Sequence, residues 1–278
     1  MISVITPVYN GERFIEACIQ VVIDQQCPDV EHIIVDGGSN DQTVDIIKRY
    51  AERYSHIRWL SEKDQGQSDA MNKGIVMAKG EILAILNVDD YYEPNVLNKV
   101  SKLFEALPEP SLLAGNCNVW NDKEEIESIN KPQKLNLSEL LVGYGKNPFP
   151  INPSAYFYHT SLHQKIGLYN IEEHYAMDVD FLFRAVQAAS TTYINEVWGN
   201  YRRIEGTKTV SDIISGQNSY RVRNLMSIYR RDLPPLQRLH TKMEHELRRN
   251  LFRIQYFSKN PVNLLQVIKS KLLKLQAS

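Results

Sequence analysis

The chain has 278 residues, 43% of them apolar, and a formal net charge of −1. That length and apolar share can bury a full core as one large domain, or as one domain with an appendage. The near-neutral balance hides an asymmetry: residues 221–278 carry +10 and the remainder −11, so the two parts face different partners, and an acidic body without a recognition motif argues against nucleic acid.

In chain order, β-branched runs at residues 3–6, 32–35, 57–60 and 82–86 read as strands separated by segments of helix length, the pattern of a parallel α/β sheet. Ser39-Asn40-Asp41-Gln42, just before Val44, Ile46 and Ile47, fits a capping box and predicts a helix directly behind the second strand. Open α/β sheets bind ligands outside the carboxyl ends of their strands, which is where Tyr9, Asp36, residues 62–64 and residues 87–90 fall. After Pro108 the alternation gives way to mixed strands and turns, a stretch containing Pro148, Pro150 and Pro153, and a helix predicted over residues 177–189. From about residue 212 the pattern is helical and basic, with Asn260-Pro261 as a cap before a stripe of Leu264, Leu265, Ile268, Leu272 and Leu275.

The longest apolar runs are strand-length, well short of the roughly 20 residues of a spanning helix. The first residues show neither a basic n-region nor a small-residue cleavage site, so a cytosolic location is expected. Cys18, Cys27 and Cys117 are odd in number and lack metal-site spacing, and all three read as structural.

Asn87-Val88-Asp89-Asp90 places two adjacent carboxylates behind an apolar strand, where they repel each other unless a cation or ligand hydroxyls share the site. A solvated acidic turn accounts for the pair equally well when it is taken alone. Asp36 before Gly37-Gly38-Ser39, taken alone, reads more readily as a strand-ending turn than as a binding carboxylate, and Tyr9 as a core aromatic or as a platform for a base.

Together these residues carry a resemblance. Val4-Ile5-Thr6-Pro7-Val8-Tyr9-Asn10, Asp36-Gly37-Gly38-Ser39-Asn40-Asp41-Gln42-Thr43, Glu62-Lys63-Asp64-Gln65-Gly66, Asp69-Ala70-Met71-Asn72-Lys73-Gly74 and Asn87-Val88-Asp89-Asp90 follow the order and spacing of family 2 glycosyltransferases over about residues 1–200. The chain looks most like the short, non-processive bacterial members of polysaccharide assembly, because the Gln-x-x-Arg-Trp motif and membrane helices of processive synthases are missing. The resemblance implies a GT-A fold: α/β, with a Rossmann-like, mostly parallel central sheet flanked by helices. Residues 1–210 would form the catalytic domain, 1–108 being the nucleotide-sugar half and 109–210 the acceptor half, followed by a helical basic extension over 211–278.

It also implies roles. Thr6, Pro7 and Tyr9 would frame the nucleotide base, Asp36 would accept from a base N–H, and Asp64 would lie near the base or ribose. Asp89 would contact the ribose or donor sugar, and Asp90, with Asp89, would hold Mn²⁺ or Mg²⁺ bridging the diphosphate. The general base would come from the segment around Met177-Asp178-Val179-Asp180, where Met177 replaces the Glu of the usual Glu-Asp pair. Asp178 and Asp180 lie about 200° apart on a helix. Asp180 has Arg184 as an i, i+4 partner, which leaves Asp178 as the candidate, although a carboxylate at a helix N-terminus is also favoured by the dipole. Gly37 stands where many members have a second Asp and Met71 where many have an Arg, and uridine is the expected base.

The activity so implied is an inverting, metal-dependent transfer of a sugar from a UDP-sugar to a hydroxyl of a glycan or lipid-linked acceptor. The basic tail (Arg221, Arg223, Arg230, Arg231, Arg238, Lys242, Arg248, Arg249 and Arg253, then Lys269, Lys271 and Lys274) suits anionic lipid headgroups on the inner face of the membrane. Its leucines suit packing on protein equally well. A nucleotidyltransferase would open with a Gly-rich phosphate loop, which Thr6-Pro7-Val8-Tyr9-Asn10-Gly11 does not provide. A non-catalytic sugar-nucleotide or glycan-binding relative is disfavoured by the intact carboxylates.

Overall fold

The computed structural model describes residues 1–143, 148–207, 210–211 and 216–259. The four runs expected as strands are β1 (Ile2–Val8), β2 (Val30–Asp36), β3 (Ile57–Ser61) and β4 (Ile82–Ile85), parallel in the spatial order β3-β2-β1-β4. Helices α1 (Ile15–Asp24), α2 (Thr43–Arg53) and α3 (Gln67–Met77) are the crossovers. Every residue of β1 is buried, as in a strand covered on both faces, and its side chains alternate. Ile5, with Ile33 and Val35, packs under α3, whereas Ile2 and Val4 meet α1 on the other face.

The sheet continues through β8 (Tyr156–His159), antiparallel to β4, then β6 (Ser111–Trp120), β9 (Ser190–Arg202) and β5 (Tyr91–Tyr92), with β7 (Ile126–Asn130) paired to β6. α4 (Val96–Phe104), α5 (Leu137–Leu140), α6 (Leu162–Ile166) and α7 (Met177–Ala188) complete the layers. β6 and β9 run parallel, and their register shifts on either side of Asn116. Gly115 makes this possible, because a Cβ there would stand 2.5 Å from the Trp198 ring. The irregularity redirects β9 so that its last residues reach the ends of the first-half strands.

The capping box does not form. α2 begins at Thr43 with Gln42 as an uncapped N-cap. The Ser39 hydroxyl instead donates to Asp36, and the Gln42 N–H is taken by Glu12 at 2.9 Å. Asp41 does the local work, accepting from the Thr43 N–H at 3.0 Å. A nearby carboxylate outcompeted the helix for the serine.

Beyond β9, α8 (Gln217–Arg231) and α9 (Pro235–Lys259) form the basic segment. α8 places Met226 in a buried cluster with Leu137, Leu140, Leu141 and Phe183, so its apolar face packs on α5 and α7. Asn260-Pro261, the leucine stripe behind them and Lys269, Lys271 and Lys274 lie outside the described residues. No described helix is long and apolar enough to cross a membrane. Cys18, Cys27 and Cys117 are buried free thiols, and burial pushes Cys18 and Cys117 up to about 12, in line with a structural role.

Thr6 Oγ1 and His32 Nε2 meet at 2.9 Å inside the core. Burial, with His56 as a lesser repulsion, lowers the His32 pKa to about 3. The unfolded chain binds this proton near pH 6.5 and the native chain only near 3, so acid favours unfolding by up to about 1.4 kcal/mol per pH unit between them. The His32 ring signals in an NMR titration should therefore stay unshifted from pH 8 to 5; a midpoint near 6.5 would show the imidazole open to water.

Candidate active site

The carboxyl ends of β1, β2, β3 and β4 open on one edge of the sheet, and their loops are tied together. Asn10, at φ 48°, accepts the Asn40 N–H at 2.9 Å and gives its own N–H to Ser39 Oγ at 2.7 Å. Thr43 Oγ1 takes the Gly11 N–H at 2.9 Å, and Asp41 takes the Glu12 N–H at 3.1 Å. The loops after β1 and β2 are thus one cross-linked wall, from which Tyr9 projects at 61% exposure.

Asp36 ends β2 fully buried and accepts from the Gly38 and Ser39 N–H groups at 3.0 and 3.1 Å, from Ser61 Oγ at 2.7 Å and from the Ser39 hydroxyl. Its carboxylate thereby organises the turn and fastens β3 to it. Asp64, half-buried, accepts the Gly66 N–H at 2.9 Å, and its carboxylate occupies the volume that a Cβ on Gly37 would need. Gly37 therefore stands where it does because any side chain would displace Asp64. Thr6 turns its side chain into the core, Pro7 is buried in β1, and Met71 is wholly buried where α3 packs on the sheet.

Asp89 and Asp90 follow β4. Asp90 is 2% exposed; it accepts from Asn152 Nδ2 at 2.7 Å, Asn87 Nδ2 at 2.9 Å and the Arg202 N–H at 3.2 Å. Burial pushes the Asp90 carboxyl well up, and the neighbouring Asp89 adds to the rise against those three hydrogen bonds. Burial raises Asp89 too, with Arg202 pulling the other way. Arg202 Nε donates to the Asp89 carbonyl, and its guanidinium lies over the Phe14 and Tyr91 rings at 5.7 and 5.8 Å. Two ionised carboxylates so placed need a positive charge. Among the described residues no three His, Cys, Asp or Glu side chains converge as a metal cage. The pair nevertheless matches the small protein donor set of a divalent ion whose shell is finished by substrate phosphates.

α7 brings the second half of the chain to this edge. Ser68 Oγ, in the first turn of α3, donates to Met177 Sδ at 2.9 Å, and Gln67 beside it donates to Asn87 Oδ1 at 2.9 Å. A continuous set of contacts thus runs from the start of α7 to the Asp89-Asp90 loop. Asp178 is half-buried in the first turn of α7, and its charge is felt by the buried phenols of Tyr156, Tyr158 and Tyr169. Asp180 makes the expected pair with Arg184 at 2.9 Å and also accepts from Tyr229 Oη at 2.9 Å.

Three residues had no signal in the pattern of the sequence. Asn152 and Arg202 reach Asp90 from 62 and 112 positions away. Glu173, 2% exposed, is paired with Arg221 of α8 at 2.6 Å and accepts the Ala176 N–H at 3.2 Å, which fixes the turn that leads into α7.

Comparison with known proteins bears on the family and the fold. The model of the family described as Glycosyl transferase family 2 matches residues 3–164. A PGL/p-HBAD biosynthesis glycosyltransferase of Mycobacterium tuberculosis is 32% identical over 217 residues, covering 76% of this chain and 81% of that protein. Staphylococcus aureus TarS 1–349, solved in complex with UDP-GlcNAc, superposes with a TM-score of 0.70 at 21% identity, over 92% of this chain and 75% of its own. The mannosyltransferase PcManGT from Pyrobaculum calidifontis, solved with GDP-Man and Mn²⁺, gives a TM-score of 0.60 at 18% identity, over 78% and 61%. A family model over more than half the chain and a relative aligned over three quarters of it show that this chain belongs to glycosyl transferase family 2, as a glycosyltransferase built on the GT-A fold.

Proposed function

We propose that the chain transfers a sugar from a UDP-sugar to a hydroxyl of a glycan or lipid-linked acceptor, with inversion, in the building of cell-surface polysaccharide or glycolipid. The observation that carries this reading is the Asp89-Asp90 pair, Asp90 buried and Asp89 half-buried, at the same strand-end edge as Tyr9, Asp36 and Asp64. The solved complexes of TarS with UDP-GlcNAc and with UDP favour uridine, and that of PcManGT with Mn²⁺ favours a divalent ion. The M. tuberculosis relative, named for PGL/p-HBAD biosynthesis, is consistent with a glycolipid or lipid-linked acceptor. Residues 1–108 would serve the donor and 109–210 the acceptor, at the cytoplasmic face of the membrane.

Tyr9 offers its ring to the base, while the loop that Asp36 organises, with Asp64 beside Gly37, sets the depth of the base and ribose pocket. Asp89 and Asp90 would hold Mn²⁺ or Mg²⁺, which when bound neutralises charge on the departing diphosphate. Arg202 keeps the acidic loop in place through the Asp89 carbonyl and adds positive charge beside it. Asp178 takes the proton of the acceptor hydroxyl as its oxygen attacks the anomeric carbon and the bond to the diphosphate breaks. One displacement inverts the configuration.

Titration calorimetry with nucleoside diphosphates should show UDP binding in Mn²⁺ that weakens at least about tenfold, or 1.4 kcal/mol, in EDTA or in Asp89→Asn. Binding of UDP indifferent to both would remove the metal from the reading, and preference for another base would correct the donor. Asp178→Asn should slow transfer by about 10²–10⁴-fold while leaving UDP affinity intact. Transfer at the wild-type rate would assign the base elsewhere.

A further inference from the structure

α9 is amphipathic in the reverse sense to a helix packed on a core. Its protein-facing side is polar: Thr241 and His245 are 1% and 8% exposed, and His245 Nδ1 lies 2.9 Å from the Val142 carbonyl. Its outward side carries Leu236, Leu239, Met243, Leu247, Leu251 and Ile254, between 49% and 83% exposed. At 100° per residue these six fall within about 120° of arc, an apolar face that also takes in His240 and Asn250, of the kind that globular proteins bury.

We propose that this face of α9 docks on an anionic lipid bilayer. The spacing of the stripe, mostly fours, makes it broad and flat, whereas a coiled-coil seam needs alternating threes and fours kept to two positions in seven. Arg238, Lys242 and Arg249, all exposed, lie together on the flank between the stripe and the protein-facing side, with Glu246 between them and the stripe; Glu244 borders the other edge and is paired with Arg248 at 3.2 Å. Residues 235–278 hold nine Lys/Arg against two Asp/Glu, so the net charge of the segment complements phosphate headgroups. α9 packs on α5 and α8, and both of these pack on α7, the helix that carries Asp178. A bilayer beneath α9 would therefore lie one layer of helices away from the helix that carries Asp178. The inference gives the membrane-face location proposed above a definite surface but rests on α9 alone, so its failure would leave the transferase reading intact.

The test is sedimentation of the full chain with vesicles of phosphatidylcholine, with and without phosphatidylglycerol. Binding is expected only to the anionic vesicles. The double variant Leu239→Glu, Leu247→Glu should cut the bound fraction at least about tenfold. Lys242→Glu with Arg249→Glu should do the same and flatten the dependence on salt. UDP binding and thermal unfolding should match wild type in both variants, since all four side chains are exposed. Undiminished sedimentation of the variants would overturn the proposal, as would binding that only deletion of residues 260–278 removes. A wild-type dimer that the leucine variant converts to monomer, with no vesicle binding by either, would overturn it in favour of a second copy of the chain.

Discussion

Placing two adjacent carboxylates at the end of a buried strand is the constraint around which the cleft is arranged. Asp90 has almost no contact with water, and an ion so placed persists only where hydrogen bonds and opposing charge replace its hydration. Its three donors come from three separate places: its own loop, the stretch before β8, and the last residue of β9. The break in register between β6 and β9, with Gly115 yielding to Trp198, lets the long ninth strand deliver Arg202 to that point. Much of the second half of the sheet can be understood as the support for one acidic turn.

The wall formed by the loops after β1 and β2 solves a different problem. Loops at strand ends are mobile unless anchored, and a mobile pocket loses binding energy to ordering. Here Asn10, Ser39, Asp41 and Thr43 hydrogen-bond two loops to one another, and Asp36 adds β3 through Ser61. The glycine that breaks the common pattern at position 37 belongs to the same economy of space, since Asp64 fills the place a side chain would take.

The first half of the fold and the residues at its edge were legible because both follow from local rules. Strands covered on two faces read as continuous apolar runs, and ligand-facing residues lie at their carboxyl ends. Asn152, Arg202 and Glu173 escaped because their partners lie 48 or more positions away, and no periodicity records a long-range hydrogen bond. Ser39 misled for a related reason: the capping pattern is local, but Asp36 and Asn10 competed for its hydroxyl. The apolar face of α9 was not read from the sequence at all. A stripe at helical spacing says that a face is apolar, and only the buried Thr241 and His245 opposite reveal that it points outward.

The Glu173–Arg221 pair has a consequence for where the enzyme can be divided. Arg221 belongs to α8, yet the carboxylate it neutralises lies in the turn that starts α7. A chain shortened to end before α8 would keep every strand but strand Glu173 as a buried anion without its counter-ion, at a cost on the order of a few kcal/mol. It would also uncover Phe183 and Leu140, which Met226 helps to cover. Keeping the turn into α7 and the cover over Phe183 therefore calls for a chain that runs at least through α8.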